Sequence, residues 1–217
     1  MALPISIRTM LYSAWLLSAL LPLTASGAAD SQLDYDQALR SKPDLAHGQS
    51  LFETCTACHG ERGAGVVDGS VPAIAGQHHD VIVRQLVNFR YDRRWDLRME
   101  HFTDRHHLSG PQDIADVAAF VSAMAVTRTS DYGSGEYLRH GREVYANLCR
   151  SCHGRAAEGS ERYPRLAGQH YEYLLRQIHD MVEGRRPSFQ TDHKRLLDPL
   201  QFADLTGVAD YLSRLGS

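Results

Sequence analysis

Lysine is nearly missing from this chain: Lys42 and Lys194 are the only two, and every other basic side chain is arginine. A basic excess is missing as well. The 23 Lys and Arg face 26 Asp and Glu for a net charge of -3, which argues against a nucleic-acid binder. Alternating apolar and polar stretches of the β-strand kind are absent, so the chain reads as all-α. Past the N-terminus no apolar run approaches the roughly 20 residues that cross a bilayer. Cysteines number only four, against 12 histidines. What is present is ordinary for a folded protein: 43% hydrophobic and 23% charged residues in 217 exclude disorder and suit one medium domain or two small ones.

The first 29 residues read as a secretory signal peptide. Arg8 is the only charge, Met10 to Leu23 is an almost unbroken apolar run, and small residues follow at 25–29. That is the order of a cleaved export signal, and the run is too short for a permanent anchor. Cleavage is expected just before Ala29 or Asp30, which would leave a soluble, exported periplasmic protein of about 188 residues. Charge is then divided unevenly. Residues 30–126 hold 14 acidic and 9 basic side chains, net -5, and residues 127–217 hold 12 and 13, net +1. Such a dipole can orient the molecule toward a charged partner.

Self-similarity organises the rest. HGQSLFETCTACHG at 47–60 is repeated as HGREVYANLCRSCHG at 140–154, and PAIAGQH at 72–78 as PRLAGQH at 164–170. The offset of 92 then pairs Arg84 with Arg176, Gln85 with Gln177, Arg93-Arg94 with Arg185-Arg186, His101 with His193 and Leu108 with Leu200. Two sibling domains follow, 30–126 and 137–217, joined by a polar linker at 127–136. Each copy is expected to have a helix entering its Cys motif, one after GQH (about 78–92 and 170–184) and a closing helix (about 111–124 and 201–215). Gly48 and Gly141 each stand four residues before an aromatic, Phe52 and Tyr145. That spacing suits a close helix crossing against Phe120 and Tyr211.

All four cysteines lie in C-x-x-C-H: Cys55, Cys58 and His59, then Cys149, Cys152 and His153. Two thiols one helical turn apart can reach the two vinyl groups of one porphyrin, while the adjacent His faces the iron. A redox dithiol would prefer a βαβ setting, a structural disulfide rarely has this spacing, and a zinc site needs another His at short range. Two covalently bound haem c groups are therefore expected.

With both C-x-x-C-H-G segments, both P-x-[IL]-A-G-Q-H segments, the Arg-Gln pairs at 84–85 and 176–177, and Leu-Asp-Pro-Leu at 197–200, the chain resembles the dihaem class I cytochromes c, cytochrome c4-like group. The resemblance covers nearly all of 47–215. It implies two tandem class I cytochrome c domains, each wrapped around one haem, with the haems near each other across the interface. It also implies that the carbonyls of Pro72 and Pro164 accept hydrogen bonds from His59 and His153.

The family's distal ligand is usually a Met seven residues before the Leu that precedes the final helix. Here those positions are His101 and His193, which are also repeat partners. His101 competes with Met99, His106 and His107; His193 has no Met after Met181 to compete with it. His78 and His170, at helix starts, read as capping or surface residues, and His47 and His140 as structural or solvated. Imidazole stabilises oxidised iron better than thioether does, so two low-potential bis-His haems are expected. The function expected is electron transfer between redox protein partners, such as a membrane-bound dehydrogenase or oxidase. Scarcity of lysine argues against the lysine-ringed docking surface of some single-haem relatives. The alternative is a dihaem enzyme of the thiosulfate dehydrogenase or peroxidase kind with a displaceable His101. In that reading Arg93, Arg94, Arg98, Arg105, His106 and His107 attract an anion; otherwise they form a solvated face that contacts haem propionates.

Overall fold

The computed structural model describes residues 24–127, 131–186 and 190–216. Most of the expected signal peptide lies outside them. Among the described residues the secondary structure is helical throughout, with no strand. The first half contains α1 (Thr24–Arg40), α2 (Leu45–His59), α3 (His79–Arg90), α4 (Leu97–Thr103) and α5 (Pro111–Ala123). The second contains α6 (Leu138–Val144), a π turn (Tyr145–Cys149), α7 (Arg150–His153), α8 (Tyr171–Val182), α9 (Gln190–Leu197) and α10 (Phe202–Arg214).

Local chemistry explains the boundaries. The Asp44 carboxylate accepts hydrogen bonds from the N–H groups of Ala46 and His47 and so starts α2. Pro111 opens α5, where its missing N–H has no cost. A reciprocal capping box between Gln201 and Asp204 opens α10.

Each half packs the helix entering its Cys motif across its closing helix. Gly48 meets the backbone of Asp116, and Gly141 meets that of Gly207, so closely that a Cβ at either glycine would collide with the facing carbonyl. The aromatic pairs expected beside these crossings are formed, Phe52 with Phe120 and Tyr145 with Tyr211, each with ring centroids 5.5 Å apart. Two separate cores result. One gathers Phe52, Val83, Val87, Ile114 and Val121; the other gathers Tyr145, Leu174, Ile178, Val208 and Leu212.

The π turn has a cause in the sequence. Phe52 stands three residues before Cys55, whereas Tyr145 stands four before Cys149. One extra residue would rotate the second Cys motif by about 100° in a regular α-helix. Widening one turn absorbs it, so Gly141 and Tyr145 keep their seat on α10 while Cys149, Cys152 and His153 keep theirs.

Among the described residues, the helix α1 has no counterpart in the second half. It buries Asp34, whose carboxylate receives Arg90, Arg105 and the Tyr91 hydroxyl at 3.0–3.1 Å. Its charge is balanced by two guanidinium groups, the condition under which a buried carboxylate is tolerated. Among the described residues no helix is long and apolar enough to cross a membrane.

Candidate functional site

Cys55, Cys58 and His59 occupy the last turn of α2, and Cys149, Cys152 and His153 occupy the π turn and α7. Both histidines are 6% exposed. A loop returns after each one and is tied to it by a backbone bond, Gly65 N–H to His59 C=O and Gly159 N–H to His153 C=O, both 2.9 Å. That return brings a proline carbonyl to each ring. His59 Nδ1 lies 3.1 Å from Pro72 O, and His153 Nδ1 lies 3.0 Å from Pro164 O. A carbonyl only accepts, so each Nδ1 carries the proton and each Nε2 keeps its lone pair for a metal. Burial holds both imidazoles below their usual pKa, partly offset by the carbonyl bond; they remain neutral, as a ligand must. Burial, with the neighbouring thiol, pushes Cys55 and Cys149 up to about 11. Before attachment to a haem they are thus protonated thiols at neutral pH.

The candidate distal residues sit on the short helices α4 and α9. His193 on α9 faces His153, their ring centroids 6.1 Å apart. Two metal–imidazole bonds of about 2 Å each would set ring centres roughly 6 Å apart. His101 on α4 is arranged differently. Its side chain is 62% exposed, its ring contacts Phe102 at 5.1 Å and His107 at 4.5 Å, and among the described residues no ring pair joins it to His59. His107 is itself held by Asp104 at 3.0 Å, and His106 is exposed. Met99 is partly buried on α4.

The GQH segments join the two halves. His78 and His170 stand at the N-cap positions of α3 and α8, as expected, but their side chains make no cap bond and instead bond across the two halves. His78 Nε2 lies 2.8 Å from Glu158 O, and His170, 3% exposed, lies 2.8 Å from Ala64 O. The glutamine before each one pairs with a backbone segment of the other half. Arg84 donates to Arg162 O at 2.9 Å, and Arg176 to Gly69 O at 2.8 Å. These contacts come in reciprocal pairs, so the repeat is related by an approximate twofold. The only sequence signal was that the segment occurs in both copies.

The cationic cluster of the first half is dispersed. Arg105 serves Asp34 and Arg98 serves Asp96. Arg94 enters the interface, bonding Gln85, Tyr173 and Gln177, and its repeat partner Arg186 reaches Gln85. This interface has an excess of positive charge. Burial and the nearby Arg94 push Arg186 down to about 9. The hydroxyl of Tyr173 lies below its usual pKa although burial opposes this, because Arg94, Arg186 and Arg176 surround it. Nε of Arg84 and of Arg165 is buried without a hydrogen-bond partner. An environment of this kind fits anionic groups such as the propionates of two haems. Together with the two C-x-x-C-H sets and their aligned histidines, it fits one haem c in each half.

Comparison with known proteins agrees with this chemistry. The Cytochrome c family profile matches residues 45–125 and 138–216. Cytochrome c4 of Azotobacter vinelandii is 28% identical over 191 residues, 79% of this chain and 89% of that protein. The thiosulfate dehydrogenase electron acceptor of Stutzerimonas stutzeri is 26% identical over 210 residues, 92% of each chain. The crystal structure of reduced cytochrome c4 from Pseudomonas stutzeri superposes with a TM-score of 0.71 at 24% identity, covering 80% of this chain and all of that one.

Proposed function

The chain belongs to the cytochrome c family, as a dihaem, cytochrome c4-like electron-transfer protein with two covalently bound haem c groups, and from that premise we propose a periplasmic carrier in which both irons have bis-His ligation and low potential. Each haem supplies a one-electron iron couple. The chain's own residues do the rest. Cys55 with Cys58, and Cys149 with Cys152, hold the macrocycles; His59 and His153 are the proximal ligands; His101 and His193 are the distal ones. Arg84, Arg94 and Arg186 neutralise propionates at the interface and keep water from it. The uneven charge, net -5 in 30–126 against +1 in 127–217, gives the domains different docking faces for a donor and an acceptor. Export through the signal peptide at 1–29 places the carrier in the periplasm, with domains 30–126 and 137–217 about the linker 127–136.

The observation that carries the reading is the facing of His153 and His193 at 6.1 Å. Low-temperature EPR of the oxidised protein tests it. Two low-spin bis-His signals are expected, and the long-wavelength iron–sulfur absorption band should be missing. His193→Met should introduce that band and raise one potential by on the order of 0.1 V. An iron–sulfur band in the native protein that survives His193→Met and vanishes in Met99→Leu overturns the assignment of His101.

One observation favours a second reading, a dihaem oxidoreductase of the thiosulfate dehydrogenase or peroxidase class. The exposed His101 ring lies against His107 and Phe102 and is not paired with His59. A distal ligand that leaves easily would suit substrate access. Rapid, tight binding of carbon monoxide to the reduced protein, confined to the haem of the first domain, would favour this enzyme over the carrier.

A further inference from the structure

The glutamines of the two GQH segments each hold both backbone groups of one residue of the opposite domain. Gln169 Oε1 accepts from Ala73 N–H at 3.0 Å, and its Nε2 donates to Ala73 O at 2.7 Å. Gln77 Oε1 accepts from Arg165 N–H at 2.8 Å, and its Nε2 donates to Arg165 O at 3.0 Å. The two-point contact fixes which end of each amide is oxygen. Each Oε1 also accepts the N–H of the following His, at 3.1 Å for His78 and 3.0 Å for His170.

Of the two backbone groups touched, the N–H that reaches the glutamine oxygen belongs to the amide that holds the proximal ligand. Ala73 N–H belongs to the same planar amide as Pro72 C=O, which accepts from His59 Nδ1 at 3.1 Å. Arg165 N–H shares its amide with Pro164 C=O, which accepts from His153 Nδ1 at 3.0 Å. Donation from the amide N–H to a glutamine oxygen shifts electron density toward the carbonyl oxygen, because the peptide bond is conjugated. The two hydrogen bonds therefore reinforce each other; such chains strengthen by perhaps 10–30% per bond. A stronger acceptor at Nδ1–H makes the imidazole a stronger donor through Nε2, and a stronger donor stabilises oxidised iron.

We propose that Gln77 and Gln169 are crossed positioning residues: Gln77 of the first domain lowers the potential of the second domain's haem through Pro164 and His153, and Gln169 of the second lowers that of the first through Pro72 and His59. The proposal rests on the reading of His59 and His153 as proximal ligands. It makes the domain interface part of each iron's ligand field. Opening or tightening that interface, as docking of a redox partner can do, then changes both potentials without touching a ligand.

Haem-resolved redox titration by NMR of the matured, full-length protein tests the crossing. Gln77→Leu should shift the Fe(III)/Fe(II) equilibrium of the Cys149/Cys152 haem two- to tenfold toward the reduced form. The upper end is about 59 mV for one electron. The Cys55/Cys58 haem should move less. Gln169→Leu should give the reverse pattern. Exchange of the Arg165 amide proton should quicken in the first variant and that of Ala73 in the second. His78→Phe is the control, since it removes an interface bond to Glu158 O that touches neither amide. Equal shifts at both haems, a shift at the same domain's haem, or shifts no larger than those of His78→Phe overturn the proposal. Where Gln77→Leu matures poorly, Gln77→Met carries the same test. His153→Ala checks the ligand assignment separately. If it leaves the second haem's ligand spectrum unchanged, the ligand reading fails; unchanged potentials in glutamine variants that keep native spectra defeat the relay alone.

Discussion

Asp116 is 1% exposed and carries three hydrogen bonds, from Asp44 N–H at 2.8 Å, His47 Nδ1 at 2.8 Å and Gln112 Nε2 at 2.7 Å. Burial alone would raise its pKa, but these donors outweigh burial and hold the carboxyl below its usual value. His47 is raised, first by its bond to Asp116. Asp116→Ala should cost about 1–2 kcal/mol in denaturation experiments, since it removes the acceptor of the Asp44 N–H and of His47. It also removes one of the two acceptors of the Gln112 amide, which keeps its bond to Lys42 O. The advantage of the native protein over this variant should depend on pH. A carboxyl with a depressed folded pKa stabilises above its unfolded value and loses that stabilisation as pH falls through the folded pKa. A histidine with a raised folded pKa stabilises below its unfolded value and loses the effect as pH rises through the folded pKa. The difference should thus be greatest between roughly pH 4 and 6.5 and decline on both sides. A difference that grows steadily toward pH 9 would contradict this sign. The repeat partner of His47 keeps the device with a different acid: His140 bonds Asp204 at the first turn of α10.

At the scale of elements, the π turn is the clearest link between one residue and a site. Deleting Ala146 gives the second Cys motif the spacing of the first. The expected product retains two haems by quantitative haem assay, with a regular helix from Leu138 onward and stability within about 1 kcal/mol of the parent. Loss of the second haem would mean that the widened turn is needed for attachment itself. The helices following GQH and the closing helices were legible because their apolar spacing repeats in both copies. The helices α1, α4 and α9 were not legible. Only seven and eight residues form α4 and α9, too short for periodicity to stand out, and α1 depends on the buried Asp34 and its arginine partners, which no local pattern announces. The two short helices nevertheless carry His101 and His193, so the distal candidates were found through repeat register without knowledge of the elements that position them.

For the whole molecule, the reciprocal interface implies that covalent linkage is not what keeps the domains together. A protease site introduced at 128–130 should, once cut, leave both halves co-eluting in gel filtration at micromolar concentration. Combining the cut with His78→Ala and His170→Ala should separate them, because two buried or half-buried interface bonds are lost at once. Separation on cutting alone would show the interface to be weaker than its hydrogen bonds suggest. The linker is itself tied down on the closing helix of the second domain: Arg214 donates to Gly133 O and Gly135 N–H donates to Asp210, both at 2.7 Å.

Duplication, the all-helical class, the two haem-attachment motifs, the helix crossings at Gly48 and Gly141 and the candidate axial histidines were determined by the sequence alone, because each depends on residue type at short spacing or on register between copies. Arg94, by contrast, was indistinguishable in sequence from Arg98 and Arg105, yet the three serve an interface, a neighbouring aspartate and a buried carboxylate respectively. The roles of Gln77, His78, Gln169 and His170 were likewise decided only by tertiary structure. Their partners lie 80–106 residues away, and a hydrogen bond between domains leaves no local periodicity. It exists only once the two halves are folded and docked, when the backbone of one supplies the donors and acceptors that the side chains of the other complete.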